Sequence, residues 1–150
     1  MSGLLKISEA AVLALHALMY IAMKDGETVT NSEIAGFLHA SENHLSKVLQ
    51  RLAKAGLVKS LRGPKGGFVL GKDSGTIPLR EIYELFEGAL NTNTCLLDTP
   101  VCGEVCMFGG LLMNINALLT DFMTRTKLDD AVKKLGKGMT VNAQKYRQNQ

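Results

Sequence analysis

Apolar residues run almost unbroken from Ala10 to Met23, with His16 the one interruption. A stretch that is apolar nearly all the way round predicts a helix buried on most of its surface. Ser8 can cap it, and Asp25-Gly26 ends it near Lys24. Thr30 and Glu33 form a T-x-x-E capping box that opens a second helix to about Leu38, with Ile34, Ala35, Phe37 and Leu38 as its apolar positions. Ser41 caps a third helix from about Glu42 to Ala55, stopped by Gly56. Leu45, Val48, Leu49 and Leu52 recur there at spacings of three and four, which makes an inward stripe. Two β-rich runs, Leu57–Arg62 and Phe68–Leu70, flank Gly63-Pro64-Lys65-Gly66-Gly67 and predict a hairpin. A short helix follows Pro78, about Leu79 to Glu87, and a loop spans Asn91 to Cys106. A long helix is predicted from about Cys106 to Thr126, a last one from about Leu128 to Leu135, and then a polar, loose tail.

The fold expected is mainly α with a small β-hairpin wing: a winged helix-turn-helix plus a long dimerisation helix. The divisions are 1–90 for the winged helix-turn-helix domain, 91–106 for a cysteine-bearing loop, 107–136 for dimerisation helices and 137–150 for the tail. The long helix carries Leu111, Leu112, Ile115, Leu118, Leu119, Phe122 and Met123, which cover more than one face. One stripe suffices to pack on a small domain. The surplus points to a second copy related by a twofold axis.

Composition narrows the function. At 150 residues and 46% hydrophobic, the chain can bury a core without staples. Three cysteines are too few, and odd in number, for a disulfide framework. The 14-residue apolar run falls short of the ~20 residues that a membrane span needs, and no small-residue cleavage site follows it. A cytoplasmic location with reduced thiols and no membrane partner is therefore expected. The net charge of +3 hides a sharper pattern: residues 41–72 hold seven basic groups and one acid. That local excess is a nucleic-acid signal.

Two helices, a turn and a basic hairpin are the order of a winged helix-turn-helix, whose second helix enters the major groove by its N-terminal residues. Ser41, Glu42, Asn43, His44, Ser46 and Lys47 then face DNA, with Gln50 and Arg51 further along the same helix. Asn43 can read a base edge bidentately, Lys47 can reach guanine or phosphate, and Ser41 can bond a phosphate. At the wing, Arg62 suits a narrow minor groove, while Lys65 and Gly66 suit close approach to phosphates. The Walker pattern is absent, because Gly71-Lys72 is followed by Asp73, so the glycine-rich turn does not signal a nucleotide enzyme. Cys95, Cys102 and Cys106 are spaced C-x6-C-x3-C. Three thiols in one loop of a reduced protein favour a metal or cluster site, with reversible thiol oxidation, zinc and inert thiols as the other readings.

The stretch SENHLSKVLQRLAKAGLVKSLRGPKGGFVLGK, Ser41 to Lys72, closely resembles the Rrf-two family of winged-helix transcription regulators. Lys6-Ile7-Ser8-Glu9-Ala10 and Pro78-Leu79-Arg80-Glu81-Ile82 match in place, and the resemblance reaches about Leu135. It implies a non-enzymatic homodimer on a palindromic operator in promoter DNA. It also implies an iron–sulfur cluster, 2Fe–2S favoured over 4Fe–4S, held by Cys95, Cys102 and Cys106 and sensing redox, iron–sulfur or nitric oxide status. The spacing departs from the family's more even one, and Gly109 stands where some members carry a histidine ligand. Glu9 matches a carboxylate that others take from the partner subunit, with His16 and Glu104 as lesser candidates for the fourth ligand. The alternatives are a cluster-free repressor using thiol oxidation or a small-molecule or protein effector, and an electron carrier or cluster-delivery module, which the basic wing disfavours.

Overall fold

A computed structural model describes residues 7–90, 95, 101–103 and 106–134. The predicted tail, Lys6, Glu104 and most of the cysteine loop lie outside the described residues.

The elements follow the sequence pattern closely. Helix α1 spans Glu9–Met23, and Ser8 caps it by accepting from the Ala11 amide. Helix α2 spans Asn31–Leu38 and opens with the full capping box: Thr30 Oγ1 accepts from the Glu33 amide, and Glu33 Oε2 accepts from the Thr30 amide at 2.7 Å. These hydrogen bonds hold the Glu33 carboxyl below the usual carboxylate range, the Thr30 amide contributing most. Helix α3 spans Glu42–Lys54 with Ser41 as its cap. Strands β1, Val58–Leu61, and β2, Gly67–Leu70, pair antiparallel in the register Val58–Leu70 to Leu61–Gly67. A 3-10 turn, Ser74–Thr76, precedes helix α4, Leu79–Glu87. Helix α5 spans Gly109–Arg125, and helix α6 covers 128–134.

One core unites these pieces. Leu18 and Ile21 of α1 meet Ile34 of α2, Leu45, Leu49 and Leu52 of α3, and Ile82 of α4, all fully or almost fully buried. Leu128 and Ala131 of α6 join the same core. The chain returns there because the Leu128 amide donates to the Ile77 carbonyl at 2.8 Å and Pro78 bridges Lys127. The last helix therefore packs beneath the helix-turn-helix.

Three features depart from the sequence expectation. Val29 pairs with Phe68 through two backbone hydrogen bonds of 3.0 and 2.7 Å, a third rung at the wing's edge. The 3-10 turn forms on an Asp73 cap, Oδ1 accepting from the Gly75 amide. Most consequentially, α5 begins at Gly109 and not near Cys106, which sits in the preceding turn with its carbonyl accepting from the Gly109 amide. No Ser, Thr, Asp or Asn lies between Gly103 and Phe108 to cap an earlier start, and two glycines open the helix. Cys106 therefore precedes the helix rather than opening it.

The wing depends on glycine where it crosses Val29. Gly67 has φ +154°, and an added Cβ would stand 2.5 Å from the Val29 carbonyl oxygen. Gly67→Ala is expected to cost about 1–3 kcal/mol through backbone strain, read as a lowered thermal midpoint; an unchanged midpoint would contradict this packing.

Candidate nucleic-acid interface and cysteine loop

Helix α3 divides cleanly into two faces. Leu45, Val48, Leu49 and Leu52 are buried, while Asn43, Lys47, Gln50 and Lys54, at i, i+4, i+7 and i+11, form one exposed stripe. Ser41 is exposed beside them, and His44 and Ser46 are half-buried at the stripe's edges. In the wing, Arg62 and Lys65 are exposed at the turn and Gly66 is half-buried, where an added Cβ would meet the Leu61 carbonyl oxygen at 2.6 Å. Lys59 adds a further exposed cation on β1.

Two of the seven basic residues are occupied inside the protein. The Arg51 guanidinium lies over the Phe86 ring, 4.9 Å from its centroid, so this candidate is drawn toward α4. Lys72 pairs with Glu81 at 2.6 Å. Lys47, Lys54, Lys59, Arg62 and Lys65 have no ion pair or ring contact among the described residues, and of these only Lys59 was not singled out by sequence.

The first turn of α1 touches this surface. Glu9 Oε1 lies 3.7 Å from His44 Nδ1, so the predicted ligand carboxylate stands beside α3 of its own chain. Just before it, the Ser8 amide donates to Glu87 Oε1 at 2.8 Å, and the Ser8 hydroxyl donates to the same oxygen. Glu87 thus ties the end of α4 to the start of α1. Glu84 secures the next step: its Oε1 accepts from the Leu90 amide at 3.0 Å and from Arg80 Nε at 2.8 Å. Those two bonds, the amide first, hold the Glu84 carboxyl below the usual carboxylate range. Between them, burial and then the Glu87 charge raise the Tyr83 hydroxyl above its ordinary value. The chain enters the cysteine loop from this anchored corner.

None of the three cysteines is in a disulfide; Cys95 and Cys106 are half-buried and Cys102 is exposed. Among the described residues no three His, Cys, Asp or Glu side chains gather closely enough to hold one metal ion. The donor chemistry nevertheless fits an iron–sulfur cluster, since thiolates are its usual ligands and three are available on one loop. His16 is hydrogen-bonded within α1, Nδ1 donating to the Val12 carbonyl at 2.8 Å, which occupies one of its two ring nitrogens.

Helix α5 shows two stripes. Leu112, Asn116 and Met123 are buried against the domain. On the other side Leu111 is 56% exposed, Leu118 73% and Phe122 49%. With the half-buried Ile115 these stand at i, i+4, i+7 and i+11, the spacing of a helix-pairing seam. Sequence reasoning missed the polar Asn116 on the buried face.

A family model described as Rrf2, iron-dependent transcriptional regulator, matches residues 7–134. The chain belongs to this family. Its members are transcriptional regulators rather than enzymes, and they bind DNA. Among Rrf2 relatives, a protein of Aquifex aeolicus named as an HTH-type transcriptional regulator is 33% identical over 129 residues, covering 83% of this chain and 90% of that one. The HTH-type transcriptional regulator IscR of Klebsiella pneumoniae is 29% identical over 132 residues, covering 85% and 80%. In structure, CymR, the global cysteine regulator of B. subtilis, superposes with a TM-score of 0.74 at 28% identity, covering 87% of this chain and 98% of that one. The fold is thus the mainly helical Rrf2 winged helix. No helix among the described residues is long and apolar enough to cross a membrane.

Proposed function

We propose that this chain is a dimeric, cytoplasmic regulator that binds a palindromic promoter operator. It senses redox, iron–sulfur or nitric oxide status through an iron–sulfur cluster, 2Fe–2S favoured. One division of labour fits this reading: residues 1–90 bind DNA, 91–106 sense, 107–136 dimerise, and 137–150 form a tail. The observation that carries it is the set of three cysteines, none of them in a disulfide, on the loop between the winged helix and α5. Cys95, Cys102 and Cys106 would hold the cluster, with Glu9 of the partner subunit as fourth ligand. When bound, the cluster supplies a group whose charge and integrity change on oxidation or nitrosylation. The chain's own contacts supply a route from loop to DNA: Leu90 to Glu84, Glu87 to Ser8, and Glu9 to His44 on α3. Protein purified anaerobically should be brown, absorb in the visible and carry iron and sulfide. A colourless product with no iron would sink the cluster reading.

The likeness to CymR, a cysteine regulator, supports a second reading: a cluster-free repressor using direct thiol oxidation or a small-molecule or protein effector. The same preparation, if colourless but shifted in DNA affinity by peroxide, would select it.

At the DNA face, Ser41, Asn43, His44, Ser46, Lys47, Gln50, Arg51, Arg62, Lys65 and Gly66 are the proposed contacts. Lys47→Ala and Arg62→Ala should each weaken operator binding by about 1–3 kcal/mol and relax one base preference where the side chain reads a base; a contact to phosphate weakens all sequences alike. Anisotropy titrations on matched and substituted operators separate the two.

A further inference from the structure

We propose that Glu42 is a specificity-determining residue that selects a cytosine in the operator. The proposal rests on the DNA-binding reading above. Glu42 is the single acid among the residues of 41–72, and it occupies the first turn of α3, exposed, beside Asn43 and Lys47. A carboxylate there approaches DNA phosphates and opposes binding to any sequence that offers it nothing. A free side chain would swing away, but this one is fixed. Ser32 at the start of α2 donates its hydroxyl to Glu42 Oε1 at 2.9 Å, and the Asn31 side-chain Nδ2 donates to the Glu42 backbone carbonyl oxygen at 3.1 Å.

Two details indicate that the acid is presented rather than neutralised. None of the described salt bridges involves Glu42, although five free cations share this surface. Its second carboxylate oxygen has no hydrogen-bond partner among the described residues, so one acceptor remains to be used outside the protein. Major-groove edges sort against such an acceptor: guanine O6 and N7 and thymine O4 repel it, adenine sets a repelling N7 beside its N6 amino donor, and cytosine offers its N4 amino donor with no acceptor beside it. A fixed carboxylate therefore rewards cytosine most, adenine less, and penalises guanine and thymine.

The test is selection of double-stranded oligonucleotides from a random pool by the full-length protein, followed by sequencing, for the wild type, Glu42→Ala, Glu42→Gln and Ser32→Ala. The wild type should enrich a palindrome with one invariant cytosine per half-site. Glu42→Ala should flatten that column alone and raise affinity for random DNA several-fold. Glu42→Gln keeps an acceptor for Ser32 and adds a donor, so the column should move from cytosine toward adenine, which Gln reads bidentately. Ser32→Ala should weaken the cytosine preference without abolishing it. If the Ala and Gln variants retain every base preference of the wild type, Glu42 does not read sequence and the proposal fails alone. If the wild type enriches no sequence, the DNA-binding reading fails with it. A melting temperature for each variant separates readout from loss of the α2–α3 tie: flattening of all columns together with a lowered melting temperature also overturns the proposal.

Discussion

Leu118→Glu is expected to convert the proposed dimer to a monomer and to lower its affinity for the operator by roughly two orders of magnitude or more, the avidity lost when two half-site contacts are no longer linked. The size of the effect follows from the position. Leu118 is 73% exposed and lies mid-way along the stripe of Leu111, Ile115 and Phe122. A contiguous apolar seam of this kind on a lone helix marks an interface. Burying a carboxylate at its centre costs several kcal/mol unless the charge is paired. Because Leu118 is outside the monomer core, the single chain should keep its helical content. Light scattering gives the mass and anisotropy the affinity. A dimer of unchanged mass would remove α5 from the interface.

Cys102→Ala should abolish visible absorption and bound iron, and should leave DNA affinity insensitive to oxidant and to nitric oxide. Cys102 is exposed, so the substitution leaves the core intact and the loss is one of ligand rather than of fold. Of the three cysteines this is the cleanest choice, since Cys95 and Cys106 are half-buried. Iron and sulfide analysis beside circular dichroism checks both halves of the statement. Retention of the full iron content would mean that another residue completes the site.

The chain's pattern disclosed most of the fold because its signals are local. Ser8, the Thr30–Glu33 box and Ser41 each mark a helix start, and all three cap as expected. The glycine-rich turn between Ser60 and Phe68 likewise marks the hairpin. What stayed hidden depends on contacts distant in sequence. Val29 meets Phe68 across 39 positions, and nothing in its neighbours announces a strand rung. The Ser8–Glu87 tie joins residues 79 apart. The apolar run begins before the glycines that delay α5, so the helix starts later than the apolar pattern predicts. For the candidate site, periodicity on α3 correctly sorted Asn43, Lys47 and Gln50 from the core. It could not show that Arg51 stacks on Phe86 or that Lys72 is claimed by Glu81. The proximity of Glu9 to His44 was equally invisible, since it requires α1 and α3 to be packed together first.

The central claim is that the cysteine loop governs DNA affinity. It is tested most directly by one anisotropy titration of a selected operator with anaerobically purified protein, before and after chelation of its iron, at fixed salt. A difference of about tenfold or more in Kd, equivalent to about 1.4 kcal/mol, that vanishes in Cys102→Ala is the predicted result. Superimposable curves from iron-loaded and iron-free protein would contradict it.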